Sequence, residues 1–298
     1  MKAIGIILAG GNNNRMKELT AKRAVPALPV AGSFRSIDFA LSSMSNSHIQ
    51  TVAVLTQYNA RSLNEHLSSS KWWNFGRKQG GLFLFTPTVT ADNSDWYRGT
   101  ADAMYQNIDF LKRRHEPYVI ISSGDCVYKL DFNRVLDFHI EKKSDITVVC
   151  KDMMYNDDVS RFGVVRMDDE SRITEFDEKP IEASSNTIST GIYVIRRRQL
   201  IELLEAAAEE NRFDFVNDIL VRYKNVKKIY GYKINSYWNN IADIDAYFKT
   251  NMDFLRPDVR SYFFREEPTI CSKVDDLPPA KFNPAQTFQT ASYQVAVS

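Results

Sequence analysis

Cysteine is scarce in this chain of 298 residues, and its three copies, Cys126, Cys150 and Cys271, are scattered. An odd, unpaired set builds no disulfide framework and lacks the paired spacing of a zinc site. His48, His66, His115 and His139 form no cluster either, so neither imidazole-based metal chemistry nor a nucleophilic triad is indicated. Net charge is nearly absent: 38 Lys and Arg stand against 37 Asp and Glu, leaving +1. That balance leaves no electrostatic footprint for nucleic acid or an anionic membrane surface. Long apolar runs are missing as well, since none approaches the roughly 20 residues that span a bilayer. Only Lys2 precedes the first apolar run, with no small-residue cleavage site. The expected location is therefore cytoplasmic, with small molecules or other subunits as partners, no nucleic acid and no membrane. A composition of 44% hydrophobic and 25% charged residues supports one large core, or one core with a small appendage.

What is present begins with Lys2-Ala3-Ile4-Gly5-Ile6-Ile7-Leu8, an almost continuous apolar run that reads as a buried parallel strand. Gly10 and Gly11 let the backbone turn sharply after it and present N–H groups to an anion. Asn12-Asn13-Asn14 tolerate unusual backbone angles, and Arg15 can fork two donors onto phosphate oxygens. Taken alone, the Gly-Gly pair is equally a plain strand-to-loop turn. Further strands are expected at residues 51–55, 118–122 and 145–150, with helical spacing at residues 101–113 and 132–142. This alternation predicts an α/β fold, a mostly parallel sheet flanked by helices, with ligands beyond the strand C-termini. Asp125 follows the apolar run Tyr118-Val119-Ile120-Ile121 and the small residues Ser122-Ser123-Gly124. Its carboxylate either projects into that crevice or caps a turn.

Several segments then follow one another in a specific order. They are Leu8-Ala9-Gly10-Gly11 with Arg15-Met16, Phe34-Arg35-Ser36-Ile37-Asp38-Phe39-Ala40-Leu41-Ser42, Leu55-Thr56-Gln57-Tyr58, Trp96-Tyr97-Arg98-Gly99-Thr100-Ala101-Asp102-Ala103, Ser123-Gly124-Asp125 and Phe176-Asp177-Glu178-Lys179-Pro180. In this the chain resembles bacterial ADP-glucose pyrophosphorylases, the glucose-1-phosphate adenylyltransferases, from residue 1 to about residue 280. The resemblance implies a nucleotidyltransferase-like (Rossmann-like) fold. It implies formation of ADP-glucose and pyrophosphate from ATP and glucose 1-phosphate, for glycogen biosynthesis. Within that family the chain looks like the second, D-type subunit, expected to join a catalytic subunit in a hetero-oligomer.

Carried over position by position, the resemblance assigns Leu8, Gly10, Gly11, Arg15, Gln106 and Gly124 to the nucleotide. Tyr97, Gly163, Glu178, Lys179 and Ser189 match sugar-phosphate positions. Arg15 and Asp125 match catalytic positions, and Asp125 would also hold Mg²⁺. Ordinary readings stand beside these: Lys179 before Pro180 as a solvated turn, Gly163 as a strand bend. Two departures bear on chemistry. The family's second metal ligand is the Asp of a Tyr-Trp-Arg-Asp stretch, matched here by Tyr237-Trp238-Asn239-Asn240. Asn240 offers a neutral oxygen instead of a charged one, weakening the metal site by an attraction on the order of several kcal/mol at an effective dielectric near 20. The family's Arg-Ala-Lys-Pro-Ala is matched by Arg23-Ala24-Val25-Pro26-Ala27, so Val25 replaces a lysine that holds charge on the triphosphate. Loss of one such preorganised donor corresponds to about 100-fold to 1000-fold in rate.

The expected role is accordingly regulatory or weakly catalytic. The alternatives are an active transferase that recruits Lys22 or Arg23, and a sugar-phosphate sensor without turnover. Asp243 and Asp245 are either compensating ligands or first-turn acids of the next helix. The expected domain covers residues 1–255, with 256–298 a linker and irregular tail where the family carries a left-handed β-helix of hexapeptide repeats.

Overall fold

The computed structural model describes residues 2–11, 14–76, 80–89, 95–154 and 157–274. Asn12, Asn13 and the tail from residue 275 onward lie outside the described residues. In chain order, β1 is Ala3–Ala9, β2 Pro29–Val30, β3 Phe34–Arg35, α1 Ser36–Asn46, β4 Thr51–Thr56, α2 Arg61–Leu67 and β5 Gly81–Phe85. Then come α3 Thr100–Tyr105, α4 Ile108–Lys112, β6 Tyr118–Ser123, β7 Cys126–Tyr128, α5 Phe132–Glu141 and β8 Ile146–Asp152. β9 Gly163–Met167, β10 Ile173–Glu178, β11 Thr187–Arg196, α6 Arg197–Glu209, β12 Ile229–Lys233, β13 Trp238–Asn240, α7 Ile244–Asp253 and α8 Pro257–Phe264 complete the order.

The central sheet reads β12-β8-β11-β6-β1-β4-β5, and every strand but β11 runs in one direction. β9 and β10 form a hairpin that joins β11 at Ile188↔Val164. β1 lies mid-sheet, and its alternate side chains enter different cores. Ala3, Ile7 and Ala9 pack in a cluster with α1 and α5 residues such as Leu41, Phe132 and Val135. Ile4 and Ile6 pack with Met104 of α3, Leu111 of α4 and Leu200 of α6. Burial on both faces explains why this strand has no polar alternation. Gly5 is needed for closeness, since a Cβ there would stand 2.4 Å from the sulfur of Met44 on α1.

The fold is thus the expected α/β architecture, with differences in detail. Residues 101–113 do not form one helix: α3 and α4 meet at Asn107, whose backbone departs from helical angles. The Asn107 amide donates to the Ala103 carbonyl and to the Tyr97 hydroxyl, both at 2.9 Å, and this local competition breaks the helix. Beyond residue 255, where a linker was expected, Pro257 starts α8 in the position that suits proline. Val259 and Phe263, four residues apart, bury in a third cluster with Met16, Val25, Phe39, Phe254 and Ile270. The Cys271 carbonyl accepts from Trp73 Nε1 and Ser42 Oγ, each at 3.1 Å, so packing continues past α8. Among the described residues, no helix is long and apolar enough to cross a membrane.

Candidate active site

Beyond the C-terminal ends of β1, β4 and β6 opens a cleft of about 490 Å³. Leu8, Gly10, Gly11, Val25, Pro26, Gln57, Tyr97, Arg98, Thr100 and Asp125 are among its lining residues. Gly10 allows the β1 turn to lie against β4, because a Cβ there would sit 3.1 Å from that of Gln57. Gly124 is tied to β1 by its N–H, which donates to the Leu8 carbonyl at 3.0 Å. The buried Ser36 hydroxyl, at the start of α1, lies 2.9 Å from the Gly124 carbonyl and 3.3 Å from that of Val25. One small side chain thereby fixes the returning segment with Val25 against the strand end with Asp125.

Asp125 faces the cleft. One of its carboxylate oxygens accepts from Ser123 Oγ at 2.5 Å and from Cys126 Sγ at 3.5 Å. Burial, aided by the Asp125 charge, pushes the Cys126 thiol well up, so it stays protonated as a donor. Asn240, far along the chain, is carried beside Asp125 by the β7–β13 pairing, in which it opposes Cys126. The Ile241 N–H donates to the Asp125 carbonyl at 2.9 Å. The Asn240 side-chain oxygen accepts from the Ala242 N–H at 2.9 Å, and its amide nitrogen lies 3.4 Å from Cys126 Sγ. Asn240 also lines a second cavity of about 560 Å³ together with Arg161, Trp238, Asp243 and Asp245. Asp243 caps α7 through the Ala246 N–H and pairs with Arg161, while Asp245 sits in the first turn, so the helix-start reading describes both acids. Among the described residues, no three His, Cys, Asp or Glu side chains gather as a ready metal cage.

Val25 is 4% exposed and belongs to the third apolar cluster while also forming cleft wall. Lys22 and Arg23 are exposed and outside the lining, and among the described residues Arg98 is the cation that lines the cleft. Arg15 is exposed and also outside the lining; its charge, with that of Arg161, helps hold the Asp158 carboxyl below its usual range, after the larger effect of Ser160 hydrogen bonds. Gln106 ends α3 and donates to Asp102 at 3.0 Å instead of entering the cleft. Tyr97 presents its ring to the cleft, but its hydroxyl is held by Asn107.

Tyr97 thus lines the cleft with Leu8, Gly10 and Gly11, while the other sugar-phosphate candidates gather on β9, β11 and the end of β10. A Cβ on Gly163 would meet Phe176 at 2.8 Å and the Glu178 carboxylate at 3.0 Å, so this glycine makes room for Glu178. Lys179 is left-handed (φ 51°) and donates its N–H to the Phe162 carbonyl. Its ammonium lies 3.0 Å from Glu178, with the lysine side chain 61% exposed and the glutamate 16%. Ser189 Oγ donates to the Tyr193 hydroxyl at 3.3 Å across a β-bulge that Gly191 (φ 74°) permits. Burial raises the Tyr193 pKa, and the nearby Glu178 and Asp214 charges raise it further.

Sequence reasoning left three organising residues without a role. Gln57 brackets Tyr97 by accepting from its N–H at 2.7 Å and donating to its carbonyl at 3.3 Å. Asp102, buried under the cleft turn, accepts from the Arg98 N–H at 2.8 Å and from its guanidinium at 3.2 Å. Tyr193 accepts from Ser189 and packs its ring on Phe215. Gln57 and Asp102 lie in the quoted motifs and Tyr193 four residues past Ser189, but their partners are distant in sequence or fixed by a turn.

The chain matches the nucleotidyl transferase family over residues 4–256. It is 37% identical over 291 residues to a glucose-1-phosphate adenylyltransferase of Clostridium novyi, covering 97% of this chain and 76% of that one. With the Lachnospira eligens enzyme of the same name it shares 38% identity over 279 residues, covering 93% of this chain and 65% of that one. Its fold superposes with a TM-score of 0.69 on a Bacillus anthracis protein described as a glucose-1-phosphate thymidylyltransferase, solved with sucrose. That pair is 20% identical, and the match covers 85% of this chain and 95% of the other. On residues, fold and relatives together, the chain belongs to the nucleotidyl transferases and, among them, to the glucose-1-phosphate adenylyltransferase family.

Proposed function

We propose that this chain is a subunit of a glucose-1-phosphate adenylyltransferase that binds nucleotide and sugar phosphate, turns them over slowly, and modulates a catalytic partner of the same family. The observation that carries this reading is the pairing of an intact cleft with two uncharged positions. Val25 stands in the cleft wall, and Asn240 stands beside Asp125. Nucleotidyl transfer rests on positioning and on stabilising negative charge that spreads in the transition state. A cleft with a glycine turn and the Asp125 carboxylate can hold a nucleotide, but ground-state binding by itself does not accelerate the step.

Mg²⁺ takes one or two carboxylates and completes its shell with water and substrate phosphates. Asp125, with one oxygen already oriented by Ser123, supplies one carboxylate, and Asn240 adds only a neutral oxygen that already accepts from Ala242. The donor set therefore fits a metal held mainly through bound phosphate, where it would offset phosphate charge. Glu178 and Lys179, with Ser189 and Tyr193 nearby, form the polar group that would take a sugar phosphate. Binding that favours one quaternary state can alter a partner without turnover.

The test is magnesium-dependent pyrophosphate release from ATP and glucose 1-phosphate, by this chain alone and mixed with a catalytic subunit from the same cell. The expected result is little release alone and a changed rate or effector response in the mixture. Full turnover alone would overturn the regulatory reading and make the chain an enzyme in its own right.

A further inference from the structure

Two groups of residues have been assigned to two ligands, yet one short segment supports both. Residues 97–100 form cleft wall. Residues 212–218 line neither cavity, but they are bonded directly to that wall. The Phe213 carbonyl accepts from the N–H groups of Ala101 at 2.8 Å and Asp102 at 3.2 Å. A Cβ on Gly99 would stand 2.3 Å from the same carbonyl oxygen, so the two backbones approach as closely as glycine permits. The Arg98 guanidinium lies 3.9 Å over the Phe213 ring, and the Phe215 N–H donates to Thr100 Oγ1 at 2.9 Å.

The opposite side of the segment meets the sugar-phosphate group. The Phe215 ring packs 5.3 Å from the ring of Tyr193, whose hydroxyl accepts from Ser189. Phe215 therefore touches one half-site with its backbone and the other with its ring. Asp218 holds the segment in shape: one carboxylate oxygen accepts from the N–H groups of Phe213 at 3.0 Å and Asp214 at 2.8 Å. Asp218 itself lies in a π-helical turn, Val216–Val221, a geometry that recurs at functional sites.

We propose that residues 212–218 are a shared brace coupling the nucleotide cleft to the sugar-phosphate residues, with Phe215 as the bridge and Asp218 as its positioning residue. A nucleotide that orders residues 97–100 fixes Thr100 and the Phe213 carbonyl contacts, and through Phe215 it fixes Tyr193. The sugar phosphate then meets a site already ordered, and by linkage the reverse holds equally. This inference rests on the reading that both ligands bind.

The experiment is calorimetric titration of the full chain with glucose 1-phosphate, with and without a saturating non-cleavable ATP analogue and Mg²⁺, and the reciprocal titration. The wild type is expected to bind each ligand at least about 5-fold more tightly when the other is present. Asp218→Asn and Thr100→Val, each checked for a cooperative melt, are expected to bring that ratio close to one. Thr100→Ser, which keeps the hydroxyl, is expected to retain it. A merely structural role would lower melting temperature without changing the ratio. Binding of both ligands without mutual enhancement, or an unchanged ratio in the folded Asp218→Asn and Thr100→Val variants, would overturn the brace alone. No binding of either ligand by the wild type would overturn the functional reading and the brace with it.

Discussion

At the scale of single residues, the proposed function rests on two neutral side chains, Val25 in the cleft wall and Asn240 beside Asp125. Val25 is held in an apolar cluster, so a lysine introduced there would keep its stem along the same wall and direct its ammonium into the cleft. Val25→Lys combined with Asn240→Asp is expected to raise adenylyl transfer by about 100-fold to 1000-fold. An unchanged pyrophosphate release from the folded double variant would overturn the proposal that these two positions limit turnover. Gly163 is a different kind of constraint. Gly163→Ala drives a methyl group against Phe176 and the Glu178 carboxylate, and overpacking of this type costs about 1–3 kcal/mol. A lower melting temperature with weaker glucose 1-phosphate binding is expected; if sugar-phosphate affinity is untouched while stability falls, Glu178 has no contact with that ligand. The identities of both departures were legible in the sequence. The resemblance set Asn240 and Asp125 at one metal site, but the β7–β13 pairing that brings them together was not legible.

At the scale of elements, the segment after residue 255 changes the account of where the folded unit ends. Phe263 of α8 is fully buried and makes edge-to-face contacts with Phe39 at 5.3 Å and Tyr237 at 5.3 Å. Because Val25 shares this cluster, α8 supports the cleft wall from behind. Phe263→Ala is expected to cost about 3–5 kcal/mol, as for other buried aromatics. Chemical denaturation would read this directly, and a loss below about 1 kcal/mol would mean that α8 is docked loosely. The sequence of this stretch reads as polar and proline-containing, which hid a helix that buries Val259 and Phe263 and packs Tyr262 and Phe264 against the same cluster. The break between α3 and α4 was hidden for a similar reason: Asn107 becomes a helix breaker here through its bond to Tyr97.

At the scale of the whole molecule, His139 gives stability a pH dependence. It is buried between Thr147, which bonds Nδ1 at 2.9 Å, and the Tyr118 ring in a T-shaped contact, while Nε2 has no hydrogen-bond partner among the described residues. Burial, with the Arg196 charge as a smaller cause, lowers its pKa from 6.5 to about 4. Between those values the unfolded chain binds a proton that the folded chain refuses. The contribution is therefore fully present above pH 6.5 and is lost as pH falls towards about 4. Its limit is about 3 kcal/mol, from 1.36 kcal/mol for each pH unit of difference. His139→Gln is expected to show a shallower loss of unfolding free energy between pH 7 and pH 4.5 than the wild type. Identical slopes would mean that His139 takes up its proton as readily in the folded chain as in the unfolded one.

The sequence by itself determined four parallel strands, β1, β4, β6 and β8, the helix α5, and the family. Burial on both faces writes β1 as a continuous apolar run, and a phosphate turn needs glycine whatever surrounds it. The two substitutions at residues 25 and 240 were equally visible as departures from a motif. Only the tertiary structure decided which of the named residues share a space. It placed Asp125 in the cleft, turned Gln106 onto Asp102, kept Arg15 out of the cleft lining, and set Phe215 between Thr100 and Tyr193. Those relations depend on contacts between residues up to about a hundred positions apart, formed by strand register and close backbone approach, and a linear pattern of side chains carries no record of either.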